Sequence, residues 1–241
     1  MESTRQQRFT CEPVKTTRGT TILLLLYCSV ACAQQDNSKA VPYRAKNGMV
    51  VSQEVHASEV GCEILRQGGN AVDAAVATAF ALAVTHPAAG NIGGGGFMVV
   101  MLENGKSTTF DFRERAPAAS HPEMFLDEKG KYDPARHHFS HTAVGVPGSV
   151  AGLYLAHQRL GRLPWKKLLE PAVKLAGSGF RVSPGLAADL AGRLGSFKKY
   201  PATLAQFSKE TGAYKAGELL VQKDLAETLR RIQDQGAAGF Y

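Results

Sequence analysis

The chain has 241 residues, with 28 Lys and Arg against 21 Asp and Glu for a formal charge of +7. Hydrophobic residues make up 44% and charged ones 20%, a balance that excludes a disordered or low-complexity chain and predicts a packed globular core. The basic residues occur as isolated pairs such as Lys166-Lys167, Lys198-Lys199 and Arg230-Arg231; without a basic cluster, no nucleic-acid partner is expected.

Residues 1–33 read as a signal peptide. Arg5, Arg8, Lys15 and Arg18 precede the apolar run TTILLLLYCSVA at 20–31, which is well short of the ~20 residues a membrane-spanning helix needs. Ala31-Cys32-Ala33 has the small-x-small form of a leader-peptidase site, which predicts cleavage after Ala33 and an exported protein, periplasmic or secreted. Lipid anchoring through Cys32 is the alternative, opposed by Ser29 at a position where a large aliphatic residue is usual. Of Cys11, Cys28, Cys32 and Cys62, only Cys62 survives that cleavage, so no internal disulfide is expected. Within VGCEIL, Cys62 reads as a buried structural cysteine.

From residue 34 onward one domain portion is expected, 34–241. VPYRAKNGMVVSQ reads as a strand after a polar stretch. In ASEVGCEILRQGGN the apolar positions Val60, Ile64 and Leu65 recur at helical spacing, and Gly68-Gly69 supply a stop. Asn70 can cap the next helix, with Asp73 near its positive end. That helix, AVDAAVATAFALAVTHP, is apolar on nearly every face and should be central and buried, ending before Pro87. FMVVML and STTFDFR read as a hairpin turned at Asn104-Gly105. The run Gly93 to Gly96 precedes a strand, where a phosphate-cradling loop would lie between a strand and a helix, so these glycines are read as sites of close backbone packing. A polar, turn-rich stretch extends to about residue 142. Helices then follow from Pro147-Gly148 to Gly161, from Pro164 toward Gly177, and from Ser183-Pro184 onward. A loop is expected around Tyr200-Pro201, and then the helix KDLAETLRRIQDQG with Leu225, Leu229 and Ile232 on one face.

The chemistry-bearing residues are sparse. His137, His138 and His141 form the one histidine cluster, but ARHHFSHT lacks nearby carboxylate ligands and reads as a solvated loop; no metal or cofactor is expected. There is no HExxH, no paired CxxC and no GxSxG elbow, so neither a zincin nor a Ser-His-Asp hydrolase is supported. Glu123 and Asp127 read as surface carboxylates. Arg113, in DFRERAP at the tip of the second hairpin strand, alternates with Phe110, Phe112 and Glu114. A guanidinium there can fork onto a carboxylate with two parallel hydrogen bonds. Spacing alone favours a structural ion pair with Asp111 or a distant acid.

Three segments carry a resemblance. NAVDAAVATAFALAVTHPAAGNIGGGGFM, DFRERAPAAS with MFLDEKG downstream, and HTAVGVPGSVAGL resemble the large-subunit signature of the gamma-glutamyltranspeptidases, or glutathione hydrolases, in order and spacing from about Ala40 to Tyr241. The resemblance implies an α+β N-terminal-nucleophile hydrolase, an αββα sandwich of which this chain holds an incomplete, mostly helical large-subunit part with a β-hairpin. It implies a zymogen that cuts itself into large and small subunits, the new terminal Thr of the small subunit acting as nucleophile with its own α-amine as base. Such an enzyme cleaves γ-glutamyl amides, glutathione typically, through a γ-glutamyl-enzyme and passes the glutamyl group to water, amino acids or dipeptides. The family's DFRE arginine binds the substrate α-carboxylate, and the matching position is Arg113. The Thr-Thr-His pattern that opens the family's small subunit is missing from the 241 residues. The chain alone is therefore expected to be a catalytically silent fragment whose partner is the small subunit of the same precursor. Two other readings share these features: an acylase removing dicarboxylic side chains from amides, and a non-catalytic exported binding or scaffold protein.

Overall fold

The computed structural model describes residues 44–241, so the leader predicted for residues 1–33 lies outside the described residues. Helices α1 (Val55–Arg66) and α2 (Ala71–Thr85) come first. The link between them passes through Gly68 at φ 89°, a left-handed conformation that glycine adopts without a Cβ penalty. α1 starts where the Glu54 carboxylate accepts the His56 N–H at 2.7 Å. It buries Ala57, Gly61 and Ile64, whereas Val60, Leu65 and Cys62 are only half-buried. The buried role expected of Cys62 is thus corrected. The reason is the close approach of α1 to α2: a Cβ on Gly61 would fall on the Thr78 hydroxyl, so small residues make the contact and Cys62 turns toward its rim.

α2 opens with a reciprocal cap, as its sequence predicts. Asn70 Oδ1 accepts the Asp73 N–H at 3.0 Å and the Asp73 carboxylate accepts the Asn70 N–H at 2.9 Å, satisfying two donors that the helix leaves orphaned. Phe80, Val76, Ala77, Ala81 and Val84 have no exposed surface. Each large side chain of this kind contributes about 1.5–3 kcal/mol by leaving water.

The hairpin follows: β1 (Phe97–Met101) pairs antiparallel with β2 (Ser107–Asp111), in register from Phe97 with Asp111 to Met101 with Ser107. Gly105 turns it at φ 78°. α3 (Pro134–Phe139) occupies the stretch that the sequence assigned to a solvated loop; Asp133 caps it through the Ala135 N–H at 2.8 Å, and none of its residues is buried. α4 (Ser149–Leu160), α5 (Trp165–Ser178) and α6 (Pro184–Phe197) run as the proline and glycine signals place them, and the short strand β3 (Phe180–Arg181), which the sequence did not signal, lies between the last two. At Tyr200-Pro201 the expected loop is instead the start of α7 (Pro201–Phe207). Pro201 stands at its first position with φ already set for a helix, and Phe207 packs against Phe197 with ring centroids 6.2 Å apart.

The order closes with β4 (Ser208–Lys209), β5 (Gly212–Ala213), β6 (Leu219–Leu220) and α8 (Lys223–Gln235). β4 pairs with β5 and β3 with β6, each as a two-stranded antiparallel sheet. α2, α5 and α8 enclose the core. Trp165 meets Phe80 edge-to-face at 5.6 Å and donates its indole N–H to the Ile232 carbonyl at 2.9 Å. Gln222, itself buried, donates to the Val84 carbonyl at 2.7 Å. On α8 the buried stripe is Ala226, Leu229 and Ile232, with Leu225 at its edge.

The architecture is the α+β, mostly helical arrangement with a hairpin that the sequence predicts. Among the described residues the strands pair only two by two, so the stacked sheets of a full sandwich are not assembled from them. A second expectation is corrected: residues 44–53 form no strand. Residues 47–53 lie beside α2, where Val50 packs against the core, and no described strand is placed to give them a ladder, without which extended chain is not a sheet.

Candidate functional site

The second hairpin strand ends at Asp111, and the chain continues extended through Phe112, Arg113 and Glu114. Phe112 is held on both sides. Its N–H donates to the Gly96 carbonyl at 3.0 Å and its carbonyl accepts the Gly96 N–H at 3.3 Å. A Cβ on Gly95 would lie 2.6 Å from the Phe112 carbonyl oxygen, and one on Gly96 2.9 Å from its ring. From the other direction α4 presses in: a Cβ on Gly148 would overlap the Phe112 carbonyl, and one on Gly152 would overlap the Phe112 ring. The close backbone packing expected of Gly93 to Gly96 is therefore met at Gly95 and Gly96, and Gly148 and Gly152 of VPGSVAGL do the same work from the helix.

The N-terminus of α4 has no side-chain cap of its own. The Gly148 and Ser149 N–H groups instead donate to the Gly94 carbonyl at 2.8 and 3.0 Å. The Ala151 N–H donates to the Tyr241 hydroxyl at 3.4 Å, and that hydroxyl donates to the Pro147 carbonyl at 2.7 Å. Asn91 Oδ1 ties the glycine run to the same helix, accepting the Gly94 N–H at 2.8 Å and the buried Ser149 hydroxyl at 2.7 Å. The orphan donors of the helix end are thus satisfied by the glycine loop and by a residue 90 positions downstream.

These elements frame an open depression of about 310 Å³, lined by Asp111, Arg113, Arg115, Pro147, Leu155 and Tyr241 among others. Arg113 lines it with its side chain 68% exposed, its Nε 3.9 Å from Glu114 Oε2. The ion pair that spacing favoured with Asp111 is not formed. Asp111 Oδ1 accepts the Arg113 backbone N–H at 3.0 Å instead, so the neighbouring acid fixes the backbone of Arg113 and leaves its guanidinium to the depression. At nearly 4 Å and high exposure, the contact with Glu114 holds that guanidinium only weakly.

The other candidates lie elsewhere. His137 stacks on Phe125 at 4.6 Å and on His138 at 4.5 Å, and its Nδ1 shares a hydrogen bond with the Tyr132 hydroxyl. Asp127 Oδ1 accepts the Lys129 and Lys131 N–H groups at 2.8 and 2.9 Å and organises a turn. Sequence reasoning missed Tyr241, and nothing in the local pattern of GAAGFY signals a tie to Pro147.

The family model for Gamma-glutamyltranspeptidase matches residues 57–241. The chain belongs to that family. It is 49% identical over 202 residues to the glutathione hydrolase proenzyme of Escherichia coli (strain K12), covering 83% of this chain and 35% of that relative. It superimposes on the crystal structure of Helicobacter pylori gamma-glutamyltranspeptidase with a TM-score of 0.79 at 45% identity, over 83% of this chain and 58% of that one. A cephalosporin acylase from Bacillus halodurans is more distant, at 26% identity and a TM-score of 0.68, over 86% of this chain and 40% of the acylase. The chain thus spans about a third of the length of the curated relatives it matches. The α+β architecture is that of an N-terminal-nucleophile hydrolase in part, and the likeness to the Helicobacter pylori gamma-glutamyltranspeptidase exceeds that to the acylase in both identity and superposition.

Proposed function

We propose that this chain forms the glutamyl-binding wall of an exported gamma-glutamyltransferase and glutathione hydrolase. In that reading Arg113 takes the α-carboxylate of a γ-glutamyl donor such as glutathione. The observation that carries it is the division of labour at Arg113: every local hydrogen bond fixes its backbone, while its guanidinium stands open on a shaped depression. A planar fork of N–H donors in such a place matches a carboxylate bidentately.

The nucleophile is supplied by the small subunit of the same precursor, a threonine whose α-amine becomes a base once the peptide bond before it is cut. The threonine oxygen bonds to the γ-carbonyl carbon as the amide C–N bond breaks, and the amine leaves with a proton. Water, an amino acid or a dipeptide then releases the glutamyl group. The hairpin offers that subunit a surface: Phe97, Val99 and Met101, on one face of β1, are 65%, 75% and 72% exposed. Contiguous exposed apolar residues of this kind mark an interaction face. Export through residues 1–33 rests on the leader pattern, and mass spectrometry of the mature amino terminus checks it, an intact leader refuting it.

Release of glutamate from glutathione and from a γ-glutamyl anilide by the full-length, processed protein tests the assignment. Arg113→Ala is expected to raise KM for both donors about 10- to 100-fold, the worth of a charge-assisted pair. Unchanged KM values would remove Arg113 from the glutamyl site, and preference for a glutaryl amide over both donors would make the protein an acylase.

A further inference from the structure

A second guanidinium stands at the same depression. Arg115 lines it together with Arg113, two residues further along extended chain and hence about 7 Å away at the backbone. The backbone of Arg115 is locked: its N–H donates to the Val146 carbonyl at 3.1 Å and its carbonyl accepts the Val146 N–H at 2.7 Å. Its side chain is exposed and enters no ion pair among the described residues. The one carboxylate lining the depression is that of Asp111, and it is committed to the Arg113 backbone. The remaining side chains of the wall, those of Val146, Pro147, Leu155 and Tyr241 among them, include no carboxylate. Two arginines rooted on hydrogen-bonded backbone therefore present two cations to one open space.

We propose that Arg115 is a specificity-determining residue that receives a second carboxylate, carried by the leaving group of the donor. The inference rests on the reading of Arg113 as the glutamyl α-carboxylate site and adds the substrate class: γ-glutamyl peptides with a free terminal carboxylate, in preference to γ-glutamyl amides with an uncharged leaving group. Arginine side chains rooted about 7 Å apart can reach two acid groups separated by a short peptide, and a single α-carboxylate leaves one of them free.

The test compares hydrolysis of glutathione and of an uncharged γ-glutamyl anilide by the full-length, processed enzyme carrying Arg115→Met, which keeps an apolar stem, or Arg115→Lys, which keeps a charge. Arg115→Met is expected to lower kcat/KM for glutathione about 5- to 30-fold, between the worth of an exposed pair and that of a charge-assisted one. The loss should appear in KM and not kcat, leave the anilide unchanged, and shrink as salt screens the wild-type advantage. Arg115→Lys should restore part of it. Equal losses on both donors would make Arg115 a support of the fold or of Arg113, and no loss on either, or an effect confined to the acceptor of transfer, would equally overturn the proposal. Failure of the wild-type enzyme to release glutamate from either donor would instead sink the reading of Arg113, and this inference with it.

Discussion

Gly152→Ala isolates the coupling between helix packing and the wall of the depression at Arg113. In an ordinary helix interior the substitution stabilises by roughly 0.5–1 kcal/mol through backbone entropy. Here the added Cβ would stand 2.5 Å from Phe112 Cδ1 and closer still to Cβ and Cγ, where carbon atoms prefer about 3.5–4.0 Å. The neighbour is the root of an aromatic side chain whose backbone is bonded to Gly96, so it yields only by moving the strand end or α4. Overpacking of this kind costs typically about 1–3 kcal/mol, so against the propensity gain the net loss is up to about 2.5 kcal/mol. Because Arg113 is the next residue, the displacement should also raise KM for γ-glutamyl donors. Urea unfolding and glutamate release, measured on the full-length processed enzyme, give the two readouts. A variant more stable than wild type with unaltered KM would refute both the clash and its link to Arg113.

Gly192→Ala on α6 is the matched control. Its added Cβ meets nothing within 4 Å, so the full propensity gain of roughly 0.5–1 kcal/mol should appear as a higher urea midpoint. Asp73→Ala should cost about 3–5 kcal/mol in the same unfolding assay. The fully buried carboxylate accepts the backbone N–H groups of Asn70, Arg162 and Leu163 at 2.9–3.2 Å, and each buried donor left unpaired costs about 1–3 kcal/mol before relaxation. Asp73→Asn, which keeps one acceptor oxygen, should lose less. The Glu218 carboxyl is held below the ordinary carboxylate range, first by the Lys215 backbone N–H and then by Lys209. Its contribution to the β4–β5 turn region is therefore present above the ordinary carboxylate pKa and is lost as pH falls through its lowered value. After correction for the pH dependence of intrinsic exchange, the protection factor of the Lys215 amide should fall on acidification in the wild type and stay constant over that window in Glu218→Gln.

Local chemistry was readable from the sequence, and long-range chemistry was not. Asn104-Gly105 announces its hairpin because the turn needs a residue that accepts positive φ, a property of two adjacent positions. Asn70 and Asp73 announce a cap because both halves of the reciprocal bond lie within four residues. The larger share of Asp73's role, holding the chain at Arg162 and Leu163, depends on a segment about 90 residues away and leaves no trace in the local pattern. Gly148 likewise reads only as a helix start and Gly152 as one more residue within that helix, although their absent side chains are what admit Phe112. Residues 44–53 show the converse failure: β-branched residues signal a strand, but a ladder needs a partner that the local sequence does not name. Pro201 carried both a turn signal and a helix-start signal, and packing of Phe207 on Phe197 decided between them.

The exposure of Arg113 follows from how the site is built. A buried guanidinium would need its counter-charge in the same chain, since an unpaired buried cation costs several kcal/mol, and a permanent partner would compete with substrate. Asp111 is the nearest acid in sequence, and it is spent on the backbone N–H; Glu114 stays at 3.9 Å. Fixing the backbone by Phe112 and the glycines while leaving the head in solvent removes the backbone share of the ordering cost of binding without introducing a strong competitor. The same logic applies to the bare apolar face of β1. Phe97, Val99 and Met101 contribute little while exposed, and each adds about 1.5–3 kcal/mol once another layer covers it. In the proposed reading, glutamyl recognition and subunit assembly draw on adjacent parts of one hairpin, and covering the β1 face should steady the strand end from which Arg113 projects.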